Sequence, residues 1–496
     1  MMSGKTDVGQ QSTSKSRKDG RRVERRSRKK RSRGPHKPTS QRDTQESRGR
    51  SLRAKCPRSS HSNAALKGSG RDPLSLVEKS NKGRVKHLLP VRFTRMLESP
   101  FAFFRGTAVI QAHDLKSTTS ADIIVHSCGD CHLMNFGGFA SPERTLIFDI
   151  NDFDETLPAP FEWDVKRLAS SFVLASRWRQ FGKRNARDAA RTVAKAYRKQ
   201  MARFAKMTVL DIWYARVTLD DVIELVRDDA DLTKSIQRDI QSARQQTLEA
   251  VFHKMTHDVD GRPRIIDHPP LIYHFGPAQA HTQKQMTAFF KAYKETVSPD
   301  RRVLFDRYEL VDSAFKVVGV GSVGTLCYVT LWMADVDDPL FLQVKQARPS
   351  VLEGLTGQST HHNDGERVVI GQRLMQSASD IFLGWTQGPS GNDFYVRQLH
   401  DQKVSPDLAM TTERILVTYA KLCGQTLARA HAKSGKAAEI SGYLGSGNNF
   451  DDAIADYSVS YADRVEKDYE AFRKAAHAGR FPTETSSPQI EAAIRQ

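Results

Sequence analysis

The sequence is poor in cysteine. Its five, Cys56, Cys128, Cys131, Cys327 and Cys423, are scattered and odd in number, which argues against a disulfide framework. No second Cys/His cluster stands ready to complete a zinc site around Cys128 and Cys131. Long apolar runs are also missing. No stretch approaches the ~20 residues of a membrane-spanning helix, and the first residues lack the apolar centre of a secretory leader. The expectation is a cytoplasmic protein without a transmembrane segment.

Acidic residues are scarce at the start. Residues 1–71 hold 22 of the 76 Lys/Arg but only 5 of the 57 Asp/Glu, leaving 54 basic against 52 acidic residues for the rest. The formal charge of +19 therefore belongs to a tail, and the remainder is close to neutral. Aliphatic residues are nearly absent from the same stretch, too few to offset the entropy of ordering it, so residues 1–72 are expected to be a disordered basic tail. Its run "RRVERRSRKKRSR" would contact nucleic acid or an anionic surface, or stay solvated.

What is present is enough apolar material, 39% of 496 residues, for two or three lobes. "TLIFDIN" is a short apolar strand. From Asp164 the pattern becomes helical, with Val193, Tyr197, Met201 and Phe204 on one face, and helices are expected to continue to about Thr296. Strands return from Ala314 to Lys345 and again at "DFYVRQL", separated by a helix near Glu366–Ser377. Two helices follow, near Thr412–Ala432 and over "FDDAIADYSVSYADRVEKDYEAFRKAA". The expected division is a mostly helical catalytic region over 73–310, a nucleotide-binding antiparallel sheet over 311–405, and closing helices over 406–496.

"HSCGDCHLMNF" from His126 carries two spellings. Cys128, Cys131 and His132 form C-x-x-C-H, the haem-attachment pattern. Asp130 and Asn135 form G-D-x-H-x-x-N, the spacing of the catalytic Asp and metal-binding Asn of kinases. Haem attachment needs export and a second axial ligand, and the sequence nominates neither, so no haem is expected. Phosphoryl transfer needs one carboxylate to orient the attacking hydroxyl and an Asn and an Asp to hold Mg²⁺. Asp130 and His132 are the candidate catalytic residues, with Asn135 and Asp149 or Asp152 as candidate metal ligands. Asp154 is a rival within "NDFDE", and a solvated acidic turn is the alternative explanation of the set. Asp164, at the opening of the next helix, would support the loop backbone or cap the helix.

"GVGSVG" places Gly319, Gly321 and Gly324 in G-x-G-x-x-G. A dinucleotide-binding turn would lead into a helix; here β-branched "TLCYVTLWMA" follows, as after the Gly-rich loop of a kinase. "FLQVKQA" then sets Lys345 on the next strand, where it would neutralise phosphate charge unless it is a plain surface lysine. Glu366, or alternatively Glu353, would be its partner on the next helix. Arg397 in "FYVRQL" is a further candidate nucleotide contact. These parts run in the reverse of the usual order, with the catalytic loop first. "TLARAHAKSG", ending at a helix with His431, resembles the segment that precedes that loop in aminoglycoside-kinase-like proteins. Joining the two in space implies a circular permutation.

"LPVRFTRMLESPFAFFRG", "GDCHLMNFGGF", "FDINDFDET", "FEWDVKRLASS", "GVGSVGT", "RVVIGQRLMQSASDIFLGW", "YVRQL" and "AHAKSG…GYLG", taken together over about residues 75–475, resemble the bacterial family called domain of unknown function 2252. The resemblance implies an α+β, protein-kinase-like two-lobe fold, circularly permuted, with a helical catalytic lobe and a small antiparallel nucleotide lobe. It names no substrate. The expected function is ATP- and Mg²⁺-dependent transfer to a hydroxyl acceptor; the alternatives are AMP transfer at the same site, or a catalytically silent nucleotide-binding scaffold.

Overall fold

The first helix, α1 (Gln41–Leu52), has little apolar surface of its own. It docks because two glycines remove the Cβ atoms that would keep two backbones apart. In a computed structural model of the chain, which describes residues 40–64, 71–245, 247–275, 282–399, 404 and 407–483, a Cβ on Gly49 would sit 1.9 Å from the carbonyl oxygen of Glu439, and one on Gly442 would sit 2.2 Å from that of Glu46. Arg53 and Arg58 then donate to the carbonyls of Gly442, Tyr443 and Leu444, and His61 is buried against Tyr443. Residues 41–64, within the tail expected over 1–72, are therefore folded; residues 1–39, with the basic run, lie outside the described residues.

Short helices follow: α2 (Pro73–Ser80), α3 (Leu89–Leu97), α4 (Pro100–Gly106) and α5 (Ala108–Leu115). Strands β1 (Ile124–Ser127) and β4 (Leu157–Pro160) pair antiparallel and enclose the hairpin β2 (Phe136–Ala140)–β3 (Leu146–Ile150). Pro160 starts α6 (Phe161–Trp178), with Glu162 and Asp164 in the first turn, where the helix dipole favours negative charge. Residues Phe161 to Ser176 of this helix are all buried. Each large apolar side chain so buried contributes roughly 1.5–3 kcal/mol. Helix α7 (Lys183–Phe204) packs on α6, and its expected Val193, Tyr197, Met201 and Phe204 face is buried in the core.

Helices α8 (Val209–Tyr214), α9 (Leu219–Val226), α10 (Ala230–Gln245) and α11 (Leu248–Met255) continue the helical run. It does not reach Thr296 unbroken. The hairpin β5 (Thr256–Val259)–β6 (Arg262–Ile265) and strand β7 (Ile272–Tyr273) interrupt it before α12 (Gln283–Lys294) and α13 (Pro299–Phe305). The turn Asp260-Gly261, both with positive φ, accounts for the hairpin.

Strands β8 (Glu309–Lys316), β9 (Cys327–Met333), β10 (Pro339–Ala347), β11 (Gly384–Gln387) and β12 (Asp393–Gln398) join β7 in a six-stranded antiparallel sheet of order β11-β12-β10-β9-β8-β7. Helix α14 (Asp364–Met375) lies between β10 and β11 in the chain. One face of the sheet packs on α12 and α13 through Phe290, Tyr293, Phe305 and Trp332, and Val251, Phe252 and Met255 of α11 pack near Phe341 and Val329. The sheet unit therefore takes in elements well before residue 310, namely strand β7 and the covering helices α11, α12 and α13.

Helices α15 (Glu413–His431), α16 (Ala437–Leu444) and α17 (Asn449–His477) close the chain on α6 and α7. Arg177–Asp463, Arg187–Asp456, Arg191–Asp452 and the buried Arg198–Asp451 fix the register of α17. The fold is mixed α+β with antiparallel sheets, and no helix among the described residues is long and apolar enough to cross a membrane.

Candidate active site

Asp130 sits in the loop between β1 and a single 3₁₀ turn at Leu133–Asn135. Two interactions shape that loop. The Asn135 side-chain amide donates to the Asp130 carbonyl at 2.8 Å, and Asp164 in the first turn of α6 accepts from the N–H groups of Cys128 at 2.7 Å and Gly129 at 3.1 Å. Gly129 is needed here, because its φ is +78° and a Cβ would lie 2.2 Å from the Glu155 carbonyl oxygen. Asp164 also meets Nε2 of His431 at 3.1 Å, and His431 Nδ1 meets the Tyr197 hydroxyl at 2.8 Å. Ser434, just past α15, accepts from the N–H of His126 at 2.9 Å. The end of α15 thus lies against the start of the loop.

The Asp130 carboxylate accepts from Arg167 on α6 at 2.6 Å. Burial raises its pKa, while Arg167 and Arg105 act the other way. His132 Nε2 is 3.9 Å from Asp130, and its Nδ1 is buried without a hydrogen-bond partner among the described residues. Desolvation holds His132 neutral, well below the usual histidine range.

Asp130, His132, Asn135, Asp152 and Asp154 line one cleft of about 310 Å³, whose roof is Gly319–Ser322. The loop bearing these glycines joins the antiparallel strands β8 and β9, and no helix starts at Gly324. Gly319 and Gly324 have φ of +64° and +84°, the left-handed region that lets the chain turn back between strands. Gly324 accepts from the N–H of Val85 at 2.7 Å.

Lys345 on β10 is buried and ion-paired with Asp154, which also accepts from the Tyr395 hydroxyl at 2.8 Å. Desolvation would lower the Lys345 pKa, but Asp152 and Asp154 outweigh it and raise it well above the ordinary lysine value. Burial and the neighbouring Asp154 charge push the Asp152 carboxyl up. Arg397 on β12 lies beside them, donating to Gln343 at 3.0 Å and to the Asn151 carbonyl at 3.1 Å.

Two expected residues stand elsewhere. Asp149 is fully buried and lines no part of the cleft. It pairs with Arg429 of α15 and accepts from the Ser377 N–H and hydroxyl. On strand β3 its side chain is committed to the interior, whereas Asp152, just past the strand, reaches the cleft. Glu366 does not pair with Lys345; its carboxylate lies 3.5 Å from His361 Nδ1 in the first turn of α14. Its neighbour Arg367 turns inward instead, donating to the carbonyls of Thr156 and Arg348. Arg167 and Tyr395 join the site from "FEWDVKRLASS" and "FYVRQL", motifs in which the sequence points to Asp164 and Arg397 instead. The sulfurs of Cys128 and Cys131 lie within 4.8 Å of each other and of an Asp164 oxygen. Both Asp164 oxygens already accept hydrogen bonds from the loop, and burial raises both thiol pKa values, Cys131 to about 11, so this trio is a packed hub beneath the loop.

The chain belongs to a family of uncharacterized proteins conserved in bacteria, domain of unknown function 2252, whose model matches residues 84–475. No curated protein and no solved structure matches it.

Proposed function

We propose that this chain is an ATP- and Mg²⁺-dependent phosphotransferase with a circularly permuted kinase-like fold, acting on a hydroxyl acceptor. The observation that carries the proposal is that one cleft gathers Asp130, Asn135 and Asp152 beneath the Gly319–Ser322 loop, beside a buried Lys345. Supporting it, strands β8, β9 and β10, helix α14, then β11 and β12 follow one another as in a kinase nucleotide lobe, with the Gly-rich loop in the first hairpin and the lysine on the third of these strands. The contact between Ser434 and His126 brings the end of α15 to the catalytic loop, as the permutation requires.

In this reading Asp130 orients the acceptor hydroxyl and takes its proton. Arg167 holds one carboxylate oxygen, which leaves the other to face the acceptor. Asn135 spends its amide N–H₂ on Asp130 and keeps Oδ1 free; Asp152 has an oxygen beyond the one that accepts from the Asp154 N–H. Two oxygen donors of this kind fit Mg²⁺, which would neutralise phosphate charge there. Lys345 and the Gly-rich loop would hold the nucleotide phosphates.

Mass analysis of products after incubation with ATP, Mg²⁺ and a bacterial metabolite extract tests this. A phosphoryl increment on an acceptor, dependent on Mg²⁺, is expected. An adenylyl increment would make it a nucleotidyl transferase, and no product from the wild-type protein would overturn the proposal.

A further inference from the structure

The cleft has a second wall that the proposed chemistry does not use. Arg84, Arg92 on α3, Arg105 on α4 and Arg348 after β10 all border it. None of the four has a salt-bridge partner among the described residues. Arg84 donates to the carbonyls of Ser80 and Val323 at 3.1 and 2.6 Å. Arg348 donates to those of Ser80 and Lys82 at 3.3 and 2.6 Å. Arg92, 1% exposed, donates to the Gly106 carbonyl at 2.7 Å and to the Met96 sulfur at 3.2 Å, and its Nε has no partner. Arg105 has a buried Nε without a partner and rests over the Phe101 ring.

Arg92 is buried and the other three are half-buried. Glu155 acts on Arg84 and Arg348, and Asp130 on Arg105, but none of these carboxylates closes an ion pair with them, so an added anion would complete the cluster. Carbonyl contacts fix their positions and leave N–H donors over, the arrangement that suits a phosphate or carboxylate. Their location says which molecule. Arg105 is close enough to Asp130 to act on its ionisation, and its carbonyl lies 3.2 Å from a Cβ position on Gly321, under the tip of the loop. Lys345 and Arg397 lie on the sheet, beside Asp154 and Asn151. A cleft of about 310 Å³ also has the size of a small-molecule site.

We infer that Arg92 and Arg105, with Arg84 and Arg348 behind them, form an oxyanion subsite for the acceptor, which is a small hydroxyl compound carrying a phosphate or carboxylate. This assignment to the acceptor rests on the phosphotransferase reading.

Calorimetric titration of inorganic phosphate into the full chain, with and without a saturating non-hydrolysable ATP analogue and Mg²⁺, tests it. Phosphate binds in both conditions. Arg105→Gln weakens it about tenfold or more, Arg105→Lys less, and both leave analogue affinity within about threefold. Arg92→Gln behaves likewise where it folds; where it does not, Arg105→Gln decides. Mutual exclusion of phosphate and analogue would assign the arginines to the nucleotide and overturn the inference, as would unchanged phosphate affinity in Arg105→Gln. If the analogue does not bind while arginine-dependent phosphate binding persists, the phosphotransferase reading fails and the oxyanion subsite stands.

Discussion

Lys345 pairs with Asp154, 191 residues earlier in the chain, and not with a glutamate on the following helix. The lysine is therefore positioned by the same acidic turn that supplies Asp152, so in the phosphotransferase reading the phosphate grip and the metal side of the cleft are mechanically one unit. Asp154→Asn leaves Lys345 buried with Asp152 as its remaining carboxylate, and is expected to cost up to about 3 kcal/mol. Adding Lys345→Met should recover part of that loss while abolishing nucleotide binding. A double-mutant cycle by urea denaturation measures the coupling, and additive losses would show that the pair is not coupled.

Asp130→Asn should lower turnover about 10²–10⁴-fold, the usual share of a general base. Nucleotide affinity should remain within a few-fold, since the proposed role of this carboxylate is toward the acceptor. Steady-state rates and analogue titration separate the two effects. Near-normal turnover would remove Asp130 from the chemistry.

Asp152 and Asp149 should respond in opposite ways. Asp152→Asn is expected to weaken Mg²⁺-dependent activity with little change in stability. Arg429→Met strands the fully buried Asp149 carboxylate and should cost about 3–5 kcal/mol with or without Mg²⁺. Denaturation curves at several Mg²⁺ concentrations check both.

Glu155 supplies a pH signature. Burial pushes its carboxyl from 4.5 up to about 7 in the folded protein. Between those values the folded state holds a proton that the unfolded chain has released, so the contribution of this group falls as pH rises from about 4.5 to 7 and then levels off. His126 acts in the opposite sense. Burial lowers it to about 4, so its contribution is lost as pH falls below 6.5. The two slopes offset each other between about 4.5 and 6.5, so Glu155→Gln should make the melting temperature rise with pH across that window, where the wild-type contribution of the pair is nearly flat.

Gly442→Ala should undock α1, because its Cβ would lie 2.2 Å from the Glu46 carbonyl oxygen. Hydrogen exchange in 41–52 is expected to rise while the catalytic loop stays protected. Unchanged protection of α1 would mean that the helix is held by its arginines alone.

Much of the cleft is legible in the sequence, because Asp130, Asn135, Gly319, Gly321, Gly324 and Lys345 lie in short motifs whose spacing reflects local turns and strands. The rest depends on contacts that leave no periodic trace. Asp149 and Asp152 differ only in whether they fall on β3 or just beyond it, and the decisive partner of Asp149 is Arg429, 280 residues away. Glu366 looks like a lysine partner by its place at the start of α14, yet Arg367 takes the inward position. Three of the four arginines of the second wall, Arg84, Arg92 and Arg105, sit in "RVKHLLPVRFTRMLESPFAFFRG", where aromatic residues suggest packing and the cationic ones pass as surface. Helix α1 is invisible because small residues, not apolar ones, hold it.

The tie between Asp149 and Arg429 also has a consequence for protein synthesis. The loop that bears Asp130 leaves the ribosome long before α15 exists, and at about 5–20 residues per second the 280 intervening residues take roughly a quarter of a minute to a minute. Through that interval neither Arg429 nor His431 has been made, so Asp149 and Asp164 have neither partner and the loop has no finished support. A nascent chain cut short between residues 400 and 429 would carry every motif of the cleft but neither Arg429 nor His431 to brace it.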